Sequence, residues 1–159
     1  MKKIGITKLL IIIFVSNFIE SLLAPYLINL YINFPLTFII FSLTLYNSNH
    51  STNAFYAFLF GLYVDLISSS PFGINAGLFT MISYAINSYV NTFKLYSDIQ
   101  VSIFFGISYI VYIGFKSLFM GLENFSYLVL FVSFLFNTLL LLLISIFRYY
   151  FPSIFIKYD

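Results

Sequence analysis

Apolar residues fall along this chain in long blocks separated by short polar punctuation, not in the apolar–polar alternation of a half-buried strand. Six blocks stand out, over about 8–24, 36–46, 53–68, 72–91, 98–119 and 125–149. A helix needs about 20 apolar residues to cross a bilayer. The pattern therefore predicts an all-α bundle of about six transmembrane helices, with the third block short. The first two blocks are hard to separate, because residues 9–46 carry a single charge, Glu20. One helix of that length would span almost twice the hydrocarbon core. Pro25 and Pro35, with Asn29 and Asn33 between them, are the expected break. The second helix starts there, as early as Tyr26 if Pro35 only kinks it. There is no internal repeat and no low-complexity linker, so residues 1–159 read as one transmembrane domain.

Composition agrees. Hydrophobic residues make up 62% of the chain and charged ones 8%, against about 25% charged in a soluble domain. Mean hydropathy is +1.03. These numbers leave too little polar surface to face water on all sides. The first block has a basic start and an apolar run, as a secretory signal does. Pro25 directly after Ala24 is a poor place to cleave, so a retained helix is expected. The chain has no tryptophan, and an interfacial aromatic belt would be built from its 14 tyrosines.

Cations set the expected orientation. Lys2, Lys3 and Lys8 precede or open the first block, Lys94 lies between the fourth and fifth, and Arg148 and Lys157 end the chain. With six crossings all of them share one side, the cytoplasmic one, and both termini are inside. The opposite loops, near 25–35, 68–71 and 121–124, hold no Lys or Arg and one acid, Glu123. Lys116 is the exception.

Helices in lipid associate through small residues and hydrogen bonds. Spacing of three and four places Ala54, Ala57, Gly61 and Asp65 on one face of the third helix. Gly73, Gly77, Thr80, Tyr84 and Asn91 form a similar stripe on the fourth. Ser102, Gly106, Tyr109 and Lys116 share a face of the fifth, and Asn17, Glu20 and Ala24 of the first. Such stripes are packing or partner-binding faces. Charge inside a bilayer is more specific, at about 2.5–3.5 kcal/mol per residue on insertion scales. Glu20, Asp65 and Lys116 all lie near the C-terminal ends of outward-running helices, at one depth. They are expected either to cluster, with Lys116 pairing to Asp65 or Glu20, or to snorkel separately.

Catalytic chemistry is scarce. Without cysteine there are no disulfides, thiolate sites or cysteine nucleophile. His50, the single histidine, sits in a polar loop, so zinc chemistry is not expected. No phosphate-binding glycine loop occurs. No histidine in a membrane block is available to activate a serine. A net charge of +2 with scattered cations excludes a nucleic-acid partner. The expectation is a protein that is not an enzyme and has no cofactor and no metal.

The stretch FGLYVDLISSSPFGINAG, residues 60–77, carries a resemblance. Gly61, Asp65, Leu66, Ser68, Pro71, Gly73 and Gly77 match a pattern of the rod shape-determining MreD family, small bacterial inner-membrane proteins. Pro35–Leu36 resembles the proline that opens that family's second segment. Glu20 falls where the family often has a polar residue in its first helix. The rest of the chain matches by hydropathy. The resemblance implies a non-catalytic scaffold or regulator of sidewall peptidoglycan synthesis. It would bind a bitopic MreC-like protein near the filament protein MreB. It would act with the RodA glycosyltransferase and a penicillin-binding transpeptidase. Homo-oligomerisation is left open. The family is also similar in fold to substrate-binding subunits of energy-coupling-factor vitamin transporters, so a small-molecule binder is the rival reading. Short outer loops weigh against it.

The motif also suggests what Asp65 does. Pro71 suits the first turn of the fourth helix, whose free N–H groups carry partial positive charge. Asp65 is expected to satisfy them, with Gly61 and Gly73 letting the two helices approach.

Overall fold

The computed structural model describes residues 6–47, 54–68, 70–89, 92, 95–121 and 126–150. All regular structure among them is helical: α1 Ile6–Ile28, α2 Leu36–Asn47, α3 Ala54–Ser68, α4 Ile74–Ser88, α5 Asp98–Met120 and α6 Tyr127–Tyr150. Three stretches, Thr7–Ile28, Ile99–Met120 and Tyr127–Phe147, are long and apolar enough to cross a membrane. The other helices are shorter. The 12 residues of α2 cover about 18 Å at 1.5 Å per residue. Of the residues that set the expected orientation, Lys2, Lys3, Lys94, Lys157 and Glu123 lie outside the described residues, as do His50 and Asn91.

The break between α1 and α2 is not at Pro25, which lies inside α1. Proline there withholds one N–H from the Ser21 carbonyl, and the helix continues for three more residues. It ends in a Schellman motif. Ile32 N donates to Leu27 O (3.0 Å), Tyr31 N donates to Ile28 O (3.0 Å), and Tyr31 takes the left-handed conformation, φ 58°. Residues 32–35 then run without helix, and Pro35 precedes α2 without kinking it. Side chains of α6 hold this irregular segment: Asn33 N donates to Ser133 Oγ (2.8 Å) and Asn137 Nδ2 donates to Asn33 O (3.3 Å). Both backbone groups of Asn33 are thereby satisfied by side chains of α6. Ahead of α5, Ser97 and Gln100 form a reciprocal capping box.

The core is aromatic and sits between α2, α4 and α5. Phe41 stacks on Phe79 at 4.4 Å and Phe38 on Tyr112 at 4.3 Å between ring centroids. Phe105 and Tyr109 continue the stack. Outward faces of α1, α5 and α6 carry large exposed apolar side chains, among them Ile11, Phe14, Phe18, Ile103, Phe131 and Leu139.

The α3 stripe packs as its spacing predicts: Ala57, Gly61 and Asp65 are buried. The α4 stripe does not. Gly77 and Tyr84 are exposed, and the buried face of α4 is Asn75, Ala76, Leu78, Phe79, Ile82, Ser83 and Ile86. Volume explains this: the aromatic core is filled by Phe79 and Ile82, which lie off the glycine line. On α5, Ser102, Gly106 and Tyr109 are buried. A Cβ on Gly106 would overlap the Thr138 methyl of α6.

Candidate functional site

The polar centre of the molecule lies where α3 turns into α4. Asp65 is 3% exposed. Its Oδ1 accepts from Ser70 Oγ (2.9 Å), Asn75 N (3.1 Å) and Asn75 Nδ2 (2.8 Å). Its Oδ2 accepts from Gly73 N (2.9 Å) and Ala76 N (3.3 Å). Three of these five donors are backbone N–H groups at the start of α4, which have no intrahelical partner. A carboxylate there also meets the positive end of the helix dipole. All five contacts are donors, and the carboxylate is saturated by its own chain.

Three features of the turn follow from this capture. Gly73 is the N-cap of α4 with φ 96°, a left-handed conformation that glycine adopts without strain. A Cβ on Gly73 would meet nothing within 4 Å, so Gly73 serves the turn and not close approach. Close approach belongs to Gly61: a Cβ there would lie 2.5 Å from both Ala76 N and Asn75 O. Pro71 is outside the first turn of α4; it lies three residues before it, exposed, and its carbonyl accepts from Ile74 N (3.3 Å). Ser68 ends α3 with its hydroxyl donating to Val64 O (2.8 Å) and lies 3.0 Å from Ser70 Oγ.

Asn75 extends the network. Its Nδ2 also donates to Ser70 Oγ (2.8 Å), and its Oδ1 accepts from Tyr112 Oη of α5 (2.5 Å). Tyr112 is clamped by Phe38 of α2 stacked on its ring. One chain of contacts thus joins α3, α4, α5 and α2.

Glu20 repeats the device between α1 and α2. Its Oε2 accepts from Thr37 N (2.9 Å) and Thr37 Oγ1 (2.7 Å), so a carboxylate on α1 caps the start of α2, just after the buried Pro35. In both cases an acid on one helix holds the first turn of the next.

Lys116 does not pair with either acid. Its ammonium forms no ion pair among the described residues and lies 5.8 Å from the Tyr112 ring centroid, within cation–π reach. It does share a half-open cavity of about 480 Å³ with Glu20 and Ser68, walled by α1, α3 and α5. The ends of α1, α3 and α5 therefore meet at one level, as their charges suggest. Asp65 is not part of that wall; its contacts turn it toward α4.

The residues that complete the site without being singled out in the sequence are Thr37, Asn75 and Tyr112, with Ser133 and Asn137 on α6. Asn75 stands inside GINAG, off the glycine stripe. Tyr112 is one tyrosine of 14, and no local pattern marks it. Asn137 keeps a buried Oδ1 without a partner. Among the described residues no three His, Cys, Asp or Glu side chains come together to hold a metal. Comparison of the chain with protein-family models, with characterised proteins and with solved structures finds no match.

Proposed function

We propose that this chain is a multi-pass scaffold of the bacterial cytoplasmic membrane, similar to MreD, that docks an MreC-like bitopic protein for the cell-elongation machinery. In this reading the MreB filament, RodA and a penicillin-binding transpeptidase act in the same assembly, and the chain itself performs no catalysis. One observation carries the proposal. The residues behind the resemblance fold into a locked α3–α4 hairpin: Gly61 sets the approach, Gly73 the turn, and Asp65 the start of α4. The carboxylate that would have to do chemistry is already occupied by five donors. A rigid hairpin suits a surface that must present a fixed shape.

The same geometry separates the two candidate partner faces. The α3 stripe is used up against Ala76. The Gly77 line of α4 is free: a Cβ there would meet nothing within 4 Å, and Met81 and Tyr84 beside it are 61% and 71% exposed. A small residue followed along its line by large exposed ones leaves a notch for a crossing helix. Copurification after mild detergent extraction tests this. The unmodified chain is expected to bring down a bitopic MreC-like protein. Gly77→Leu is expected to lose it while keeping normal membrane insertion and melting temperature. Full retention by Gly77→Leu moves the interface elsewhere. Absence of any such partner from the unmodified chain removes the scaffold reading.

A further inference from the structure

The cavity between α1, α3 and α5 has features that the hairpin does not explain. It presents opposite charges that do not meet. Glu20 uses Oε2 for both of its bonds to Thr37, so Oε1 makes no hydrogen bond among the described residues. Lys116 has the Tyr112 ring beside it and no carboxylate within ion-pair distance among those residues. Each of these charged groups keeps hydrogen-bonding capacity that no described residue fills, and a ligand carrying both signs would meet both. Asn17 adds an independent sign. It is 8% exposed, it lines the cavity, and its amide has no hydrogen-bond partner among the described residues. That amide is therefore open to a ligand in the cavity.

We infer that this cavity binds a zwitterion carrying a primary ammonium and a phosphate, of the phosphoethanolamine type. The volume of about 480 Å³ falls in the range of small-molecule sites, roughly 300–1,000 Å³. The ammonium of the ligand has N–H donors for Glu20 Oε1 and the Asn17 carbonyl oxygen. Its phosphate faces the Lys116 ammonium. A plain anion would answer Lys116 and leave Glu20, and a plain cation would do the reverse. A quaternary ammonium has no N–H to give the carboxylate. The wall continues along α1 as Phe14 and Phe18, which are 50% and 58% exposed. That apolar track suits acyl chains attached to the headgroup. The inference stands whether or not the chain is an elongation scaffold, because none of these residues lies on the Gly77 face.

The test uses the purified full-length chain in detergent. Phosphatidylethanolamine, phosphatidylcholine and phosphatidylglycerol with matched acyl chains are added at equal concentration, and retained lipid is read by native mass spectrometry. Phosphatidylethanolamine is expected to be retained at least tenfold better than the other two. Lys116→Met and Asn17→Leu should each abolish that preference; neither caps a helix, so both should fold. Glu20→Gln should do the same, but it also touches the α2 cap and is read only with the other two. Soluble O-phosphoethanolamine is run in parallel as a thermal-shift ligand. A rise in melting temperature with it, absent in Lys116→Met, would identify a free zwitterion as sufficient. Preference seen only with the lipid would identify the headgroup on its chains. Equal retention of all three lipids with no thermal response to O-phosphoethanolamine overturns the inference. So does a preference that survives both Lys116→Met and Asn17→Leu.

Discussion

Asp65 shows how one side chain can fix a helix start. Its five donors include three backbone N–H groups of α4 and the amide of Asn75. Asparagine at 65 would put an NH2 group against donors and leave several of them buried and unpaired. Hydrogen bonds to charged groups contribute about 1.5–3 kcal/mol each way of counting, so Asp65→Asn should lower stability by on the order of 3 kcal/mol in detergent melts. Adding Lys116→Met should leave that penalty unchanged within about 0.5 kcal/mol, because the two side chains form no ion pair. Recovery of a kilocalorie or more in the double variant would show a coupling absent from this geometry. Tyr112→Phe removes the hydroxyl that Asn75 Oδ1 accepts from and strands a buried acceptor, for about 1–3 kcal/mol. The role of Asp65 was legible because the acid, the serine turn and the proline are neighbours in sequence. Tyr112 was not, because its partner lies 37 residues away and only the folded bundle brings them together. For the same reason the sequence left open whether Lys116 pairs or stands apart: helical spacing gives depth, not the direction in which a side chain leaves its helix.

Helix starts and ends were largely legible, and helix faces were less so. Apolar blocks and prolines place α2 to α6 within a few residues, since a block of that length has few alternatives in an apolar chain. The end of α1 was missed. Pro25 withholds only one bond, and the Schellman motif at residues 27–32 sets the true stop. Glycine lines mislead more, because a small residue serves close approach, a turn or an open notch with the same letter. Gly61, Gly73 and Gly77 illustrate the three cases. They make a sharp comparison. Gly61→Ala drives a methyl into the backbone of α4, which cannot rotate away, and overpacking of this kind costs about 1–3 kcal/mol. Gly77→Ala meets nothing within 4 Å and gains helix propensity, worth up to about 1 kcal/mol. Melting temperatures measured side by side should fall for Gly61→Ala and hold or rise for Gly77→Ala. The same sign for both would mean that α3 and α4 are not held as closely as Gly61 and Ala76 indicate.

For the whole molecule the open matter is how helices of such different lengths share one bilayer. Glu20, Ser68 and Lys116 border one cavity, so α1, α3 and α5 finish at one end and α2 and α4 begin there. The chain therefore reverses at each of these helices, whatever their lengths. The 12 residues of α2 reach about 18 Å, short of a hydrocarbon core of about 30 Å. Residues 32–35 add non-helical length, shortened where Leu36 N donates back to Phe34 O (2.9 Å). Their backbone is the part that Ser133 and Asn137 satisfy from α6. A broken span is tolerated where protein satisfies the freed backbone groups, as α6 does at Asn33. If α2 and its lead cross, six crossings are expected, with Lys2, Lys3, Lys8, Lys94, Arg148 and Lys157 on one side. By the positive-inside rule that side is expected to be cytoplasmic. Reporter fusions at Asn49, Lys94 and Asp159 should read cytoplasmic, and fusions at Ser69 and Asn124 external. The fusion at Asn49 is the decisive one. If α2 and its non-helical lead do not cross, Asn49 stays external, and with five crossings the start and end of the chain fall on opposite sides. A cytoplasmic Asn49 together with a cytoplasmic Asp159 requires the short helix to span, held open at its start by Glu20 and along its lead by α6.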